Sequence, residues 1–370
     1  MPSFIRISIG LTLLLVPTLA WAGKGDVAAD PQTPAIWNGS ETEPCAWPSV
    51  VRVTGGGSLC SATLIHPQVV MYAAHCGTQD KVVRFGDSDN TGKTELVEYC
   101  KSYPGYNSQG NDWAYCVLQD PVDEIPITPV GYGCEINQYV AHGADIAIVG
   151  FGNNSGDSGA GRKRWAFSKM WNPGFSTFNV GGQGYPSVCS GDSGGPAFIR
   201  YADGTWHTYG IASTKNSNTC DQAGGTHSLA TRAVEWIETD SGIDVTVCHD
   251  LEGNWDPGPY CGRFFNGEPQ LSYGSWYTWC EDVTASGWSS TCGTDYESLY
   301  SESELARHRD HLAGQRLDLR GGALGDRHRG RDRRRERVLG RADRDRRDAA
   351  AGHDLGSEPH GVRRGDLPRG

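Results

Sequence analysis

Gly191-Asp192-Ser193-Gly194-Gly195-Pro196 is the stretch from which the rest of the chain is read. It sets a hydroxyl among glycines, whose tolerance of positive φ lets the backbone turn sharply. Their missing side chains also leave room for a substrate carbonyl to approach the amides. A serine hydroxyl is a weak nucleophile at neutral pH, so it needs a base, and the base needs an orienting group. Both are available upstream. Ala73-Ala74-His75-Cys76 offers an imidazole, and Asn111-Asp112-Trp113-Ala114 offers a carboxylate at the head of an apolar run. Singly, each has a duller reading: a turn serine, a structural histidine, a loop Asn-Asp. Together they form a base, an orienting acid and a nucleophile.

The three blocks, in the order His, Asp, Ser, resemble the chymotrypsin-like (trypsin-fold) serine peptidases. That order also decides against a rival. Gly191 to Gly195 fits the hydrolase elbow G-x-S-x-G, but that fold places its acid and histidine after the serine. The resemblance implies an all-β fold of two antiparallel six-stranded β-barrels with a C-terminal helix, and a cleft between the barrels. It implies His75 as general base and then acid, Asp112 as its orienting carboxylate, and Ser193 as nucleophile. The amides of Gly191 and Ser193 would form the oxyanion hole. Ser213, in Gly210-Ile211-Ala212-Ser213, matches the serine that supports the buried aspartate.

Further residues follow from the same resemblance. Ile36-Trp37-Asn38-Gly39 looks like a mature start, whose freed ammonium would insert and pair with Asp192. It departs from the family's usual Ile-Val-Gly-Gly at two positions, and Ala35 stands where a basic residue is usual. The activating protease is therefore expected not to be trypsin-like. Ser187 matches the base of the primary specificity pocket, with Ser213, Lys215 and Gly225 along its wall. A serine at the base carries no charge to attract Arg or Lys, so a neutral or small substrate side chain is expected. Lys215 replaces the usual glycine, where it would narrow the entrance, attract an acidic group or simply point into solvent. The implied disulfides are Cys60–Cys76, Cys189–Cys220 and Cys100–Cys116, which leaves Cys45 to join Cys134. Asp87 and Asp89, in Phe85-Gly86-Asp87-Ser88-Asp89-Asn90, line up with a loop that binds calcium in some relatives. Oxygen ligands suit that ion, yet the same residues make an ordinary polar hairpin turn. No cofactor is required.

Composition sets the frame around this core. In 370 residues there is room for one large two-barrel domain and additions. Arg6, the apolar run Ile7 to Ala20 and the small-x-small Ala20-Trp21-Ala22 read as a signal peptide over 1–22, too short for a membrane span. Residues 23–35, without apolar periodicity, read as a disordered leader by composition and as a propeptide by the resemblance at Ile36. The twelve cysteines contain no C-x-x-C pair, which favours disulfides over zinc and agrees with a secreted, extracellular or periplasmic location. Short β-rich runs such as Val50 to Val53, Val69 to Tyr72 and Val82 to Phe85 fit barrel strands. The peptidase-like domain is placed at 36–245, with Asn153 to Arg164 as a solvated polar loop.

Residues 246–300 hold four cysteines and four tryptophans, a small disulfide module whose pairing stays open. An appendage packed on the main domain is preferred there over a sugar-binding unit. Residues 301–370 lack every aromatic residue and hold 18 of the 33 Lys+Arg. Such a stretch cannot bury enough apolar surface to fold, and its abrupt change of composition suggests a disordered tail read from a shifted frame. The net charge of −11 thus averages an acidic body with a basic tail. An acidic body argues against nucleic acid as partner and leaves a protein or peptide substrate. Nothing in the sequence sets the oligomeric state.

Overall fold

A computed structural model describes residues 36–107, 110–154, 158–217, 220, 223–277 and 280, with three two-residue strands after them. The segments read as signal peptide, propeptide and tail, together with Cys292, lie outside the described residues.

After a short strand β1 (Ser40–Glu41) come β2 (Val50–Gly55), β3 (Ser58–His66), β4 (Val69–Tyr72), β5 (Val82–Phe85), β6 (Lys93–Ser102) and β7 (Ala114–Leu118). The last six close into an antiparallel barrel in the order β2-β3-β4-β7-β6-β5. Val51, Val53, Leu64, Val70, Val83 and Tyr115 are among the β-branched, aliphatic and aromatic residues filling it. A second set follows: β8 (Asp145–Gly150), β9 (Arg164–Trp171), β10 (Thr177–Val180), β11 (Pro196–Arg200), β12 (Trp206–Lys215) and β13 (Gly225–Leu229). It runs β9-β10-β13-β12-β11-β8, and the β8–β9 pairing closes it as a second six-stranded barrel, with β1 added outside β9. Closure leaves neither barrel with a free run of edge hydrogen bonds.

Trp47 joins the two. Its buried ring stacks on Phe198 at 5.3 Å and meets Trp206 edge-on at 4.8 Å. The crossover between the barrels, expected as a Pro/Gly-rich link, also carries a short helix α1 (Glu135–Tyr139). The closing helix α2 (Val234–Ser241) ends at Gly242 in the left-handed conformation and buries Val234 and Ile237 in the first barrel's core.

The described residues after α2 build no core of their own. Val247, Phe264 and Trp276 join the first barrel's apolar cluster, and Phe265 joins the cluster around Trp47. A two-residue strand β14 (Phe264–Phe265) is held through the Phe265 amide, which donates to Ile127 O at 3.0 Å. The Tyr273 amide donates to Pro44 O at 3.0 Å, which draws the chain toward the start of the domain.

That path corrects one disulfide expectation. Cys45 pairs with Cys280, not Cys134, because the chain after α2 folds back to Pro44. Cys134 is also disulfide-bonded, and Cys248 pairs with Cys261. Cys60–Cys76, Cys100–Cys116 and Cys189–Cys220 pair as expected. Cys45 and Cys280 are 235 residues apart, so their bridge closes a long loop. Replacing both with Ser is expected to lower the unfolding free energy by about 2–5 kcal/mol in a urea titration. Non-reducing peptide mapping should recover Cys45 with Cys280.

Candidate active site

The cleft groups come from both barrels. A 3₁₀ turn, Ala74–Cys76, presents His75 just after β4, and the Cys60–Cys76 bridge ties that turn to β3. His75 Nδ1 lies 2.6 Å from Asp112 Oδ2, and the His75 backbone N–H donates to Asp112 Oδ1 at 2.9 Å. A carboxylate only accepts, so Nδ1 carries the proton and Nε2 is left as the basic nitrogen. Asp112 also accepts from Ser213 Oγ at 2.6 Å, while its own N–H donates to Ser228 Oγ at 3.1 Å. Burial alone would raise the Asp112 carboxyl. The hydrogen bonds and charge of His75, with the bond from Ser213, outweigh burial and hold it below the ordinary carboxylate range.

The serine loop is clamped on every side. Ser193 O accepts from the Ser61 amide of the first barrel at 2.8 Å, and the Gly194 amide donates to Ala212 O at 2.7 Å. Gly194 sits at φ +83°, and a Cβ there would lie 2.3 Å from Ser61 O, so no other residue fits. Gly191, at φ +95°, has its Cα face against Gly152, where a Cβ would come within 2.8 Å of Gly152 Cα. Among the described residues, neither the Gly191 amide nor the Ser193 amide donates a hydrogen bond.

Asp192 points the other way, into the second barrel, where it is almost wholly buried. It accepts from the amides of Gly152 and Cys189, both at 2.8 Å, and from the Ile36 amide. Burial is the largest influence and pushes this carboxyl up to about 7, against the pull of those three donors and Arg164. Ile36 is fully buried beside it.

Next to Ser193 a cavity of about 350 Å³ is lined by Val188, Ser190, Ala212, Ser213, Thr214 and Lys215, among others. Lys215 Nζ donates to Ser190 Oγ at 3.0 Å. Ser187 and Gly225, expected at this pocket, are not among the residues lining this cavity. Ser187 is backbone-paired with Trp37, and a Cβ on Gly225 would run into Val188 Cγ2 at 2.6 Å.

The carboxylates of the suggested calcium loop turn to separate cations. Asp89 pairs with Arg52, while Asp87 faces Lys163 at 4.0 Å and accepts from the Cys45 amide at 3.2 Å. The expectation of a solvated loop through Arg164 does not hold at its end. Lys163 is wholly buried, donating to Trp47 O at 2.9 Å and lying 5.2 Å from the Trp276 ring. Burial brings its ammonium down to about 8. No local pattern marks Lys163, because its partners are scattered through the chain. Ser228 and Ser190 were also missed. Ser228 was legible in principle, since strand alternation places it on the face of β13 opposite His227.

The Trypsin family model matches residues 36–237, more than half of the chain. Rattus norvegicus Chymotrypsin-C is 25% identical over 247 residues, covering 58% of this chain and 91% of that protein. Human Chymotrypsin-like elastase family member 1 is 28% identical over 222 residues, covering 52% and 86%. A Trypsin-like protease of Streptomyces glaucescens is 25% identical over 190 residues, covering 45% and 68%. With two closed barrels and the family match over residues 36–237, the chain belongs to the trypsin family, the chymotrypsin-like serine endopeptidases.

Proposed function

We propose that Ser193, His75 and Asp112 cleave peptide bonds through an acyl-enzyme. The observation that carries this reading is the double contact of Asp112 with the side chain and backbone of His75. It fixes the ring so that Nε2, not Nδ1, is the base. Ser193 Oγ attacks the scissile carbonyl as His75 Nε2 takes its proton. The carbonyl oxygen becomes an oxyanion, and the undonated amides of Gly191 and Ser193 are the donors suited to hold it. The imidazolium then returns the proton to the leaving amine, the C–N bond breaks, and the acyl group stays on Oγ. Water enters by the same base, and the acid product leaves.

Export belongs to the same reading. Five disulfide pairs among the described residues suit an oxidising compartment, and no described helix is long and apolar enough to cross a membrane. The test is a rapid-mixing assay with a p-nitrophenyl ester and the chain starting at Ile36. A nitrophenol burst of one equivalent per chain, followed by slow turnover, is expected for an acyl-enzyme. Absence of the burst, with no cleavage of peptide substrates, would contradict the mechanism. Ser213→Ala removes a hydrogen bond to a charged group, so kcat/KM should fall about 10-fold while the burst remains. An unchanged rate would show that Asp112 needs no support from Ser213.

A further inference from the structure

A cavity lies beside Ser193. Among the described residues lining it there is no Asp or Glu, and Lys215 is the one ionised side chain. Lys215 neither blocks the space nor stands outside it. Its ammonium reaches across to Ser190 Oγ at 3.0 Å, so a cation and a hydroxyl lie side by side on the cavity wall. The rest of the lining is mixed, with Val188 and Ala212 nearly inaccessible to water and the neutral Ser193, Ser213 and Thr214 beside them. A second polar group lies behind this wall. Side chains alternate along β13, so Gly225 and His227 share one face. That face meets Val188, which Gly225 abuts, and β13 pairs His227 with Ala212. His227 is fully buried, and neither of its ring nitrogens has a hydrogen-bond partner. A buried imidazole with two unused nitrogens normally finds a partner.

Resting on the serine-peptidase reading above, we propose that this pocket selects a substrate side chain ending in a carboxylate, with Lys215 as the specificity-determining cation and Ser190 as the hydroxyl beside it. Glutamate or aspartate before the scissile bond supplies such a group. A carboxylate accepts from both donors at once, and a charge-assisted hydrogen bond outranks a neutral one. The pocket also discriminates against Lys and Arg, which would bring like charge against Lys215. A carboxylate differs from the neutral or small side chain expected from Ser187, which is not among the residues lining this cavity.

The test compares kcat/KM for peptidyl p-nitroanilides that differ only at the residue before the cleaved bond: Glu, Gln and Lys. The chain starting at Ile36 is used, and active sites are counted by the ester burst. Glu should be preferred to isosteric Gln by about 10–100-fold, the span of one charge-assisted bond. In Lys215→Met that ratio should collapse toward one, and in Lys215→Glu the preference should turn from Glu to Lys. Each ratio is taken within one variant, so loss of folded protein cancels. A burst with Gln cleaved as fast as Glu, or a ratio unmoved by Lys215→Met, would overturn the pocket assignment and leave the peptidase reading standing. No burst at all would overturn both.

Discussion

Ser193→Ala is expected to lower kcat by about 10⁶-fold, with His75→Ala causing a loss of similar size. The two act as one unit: without the base the hydroxyl is not activated, and without the hydroxyl the base has nothing to deprotonate. The double variant should therefore be little worse than either single one, since the effects of such residues do not add. What remains would come from binding and from the Gly191 and Ser193 amides. Ser193 is small, and its loop is held by backbone bonds to Ser61 and by those that Gly194 and Gly195 donate, so the alanine variant should keep the native melting temperature. Steady-state assays on burst-calibrated native enzyme set the scale. Retention of a few per cent of activity in either variant would point to another nucleophile.

Asp192→Asn should lower kcat by about 10²–10³-fold while leaving the triad in place. The carboxylate bonds to the amides of Gly152 and Cys189 on one side and lies next to Gly191 and Ser193 on the other. Its conformation therefore sets where the oxyanion donors point, and losing one such donor typically costs 10²–10³ in kcat. In the uncleaved chain Asp192 meets only neutral donors and Arg164 at longer range, and burial lifts its carboxyl to about 7. The sign follows from proton binding. The folded chain holds this proton to a higher pH than the unfolded chain, so stability is full below about pH 4 and lost as pH rises through about 7. The loss is at most ~4 kcal/mol.

Cleavage before Ile36 turns its amide into an ammonium. An adjacent opposite charge favours the ionised carboxylate and removes that loss. The pairing then lasts until the ammonium deprotonates, above its ordinary value near 8. Urea unfolding from pH 5 to 8 should show the precursor weakening and the chain starting at Ile36 holding steady. Parallel curves would mean that Ile36 does not supply the partner of Asp192.

The proposed catalytic groups stand out in the sequence because such chemistry demands local sequence. Gly191 and Gly194 must be glycine to sit at positive φ against Gly152 and Ser61. The short β-rich runs likewise marked strands, as at Val50 to Val53, Val69 to Tyr72 and Val82 to Phe85, which fall in β2, β4 and β5. What stayed hidden depends on which distant segments meet. Cys280 reaches Cys45 only because the chain after α2 folds back over Pro44. Lys163 looks like any surface lysine until Trp47, Asp87 and Trp276 surround it. At the pocket, matching positions named Ser213 and Lys215, which line the cavity, while Val188, Ser190 and Thr214 on its wall carried no local signal.

The central claim is that His75 activates Ser193 and no other hydroxyl. Its most direct test is a fluorophosphonate probe applied to the chain starting at Ile36, with the adduct located by tandem mass spectrometry. The account predicts one adduct per chain, on Ser193 within Gly191-Asp192-Ser193-Gly194-Gly195, and labelling slowed by orders of magnitude in His75→Ala. An adduct on another residue, or labelling that proceeds equally fast without His75, would contradict it.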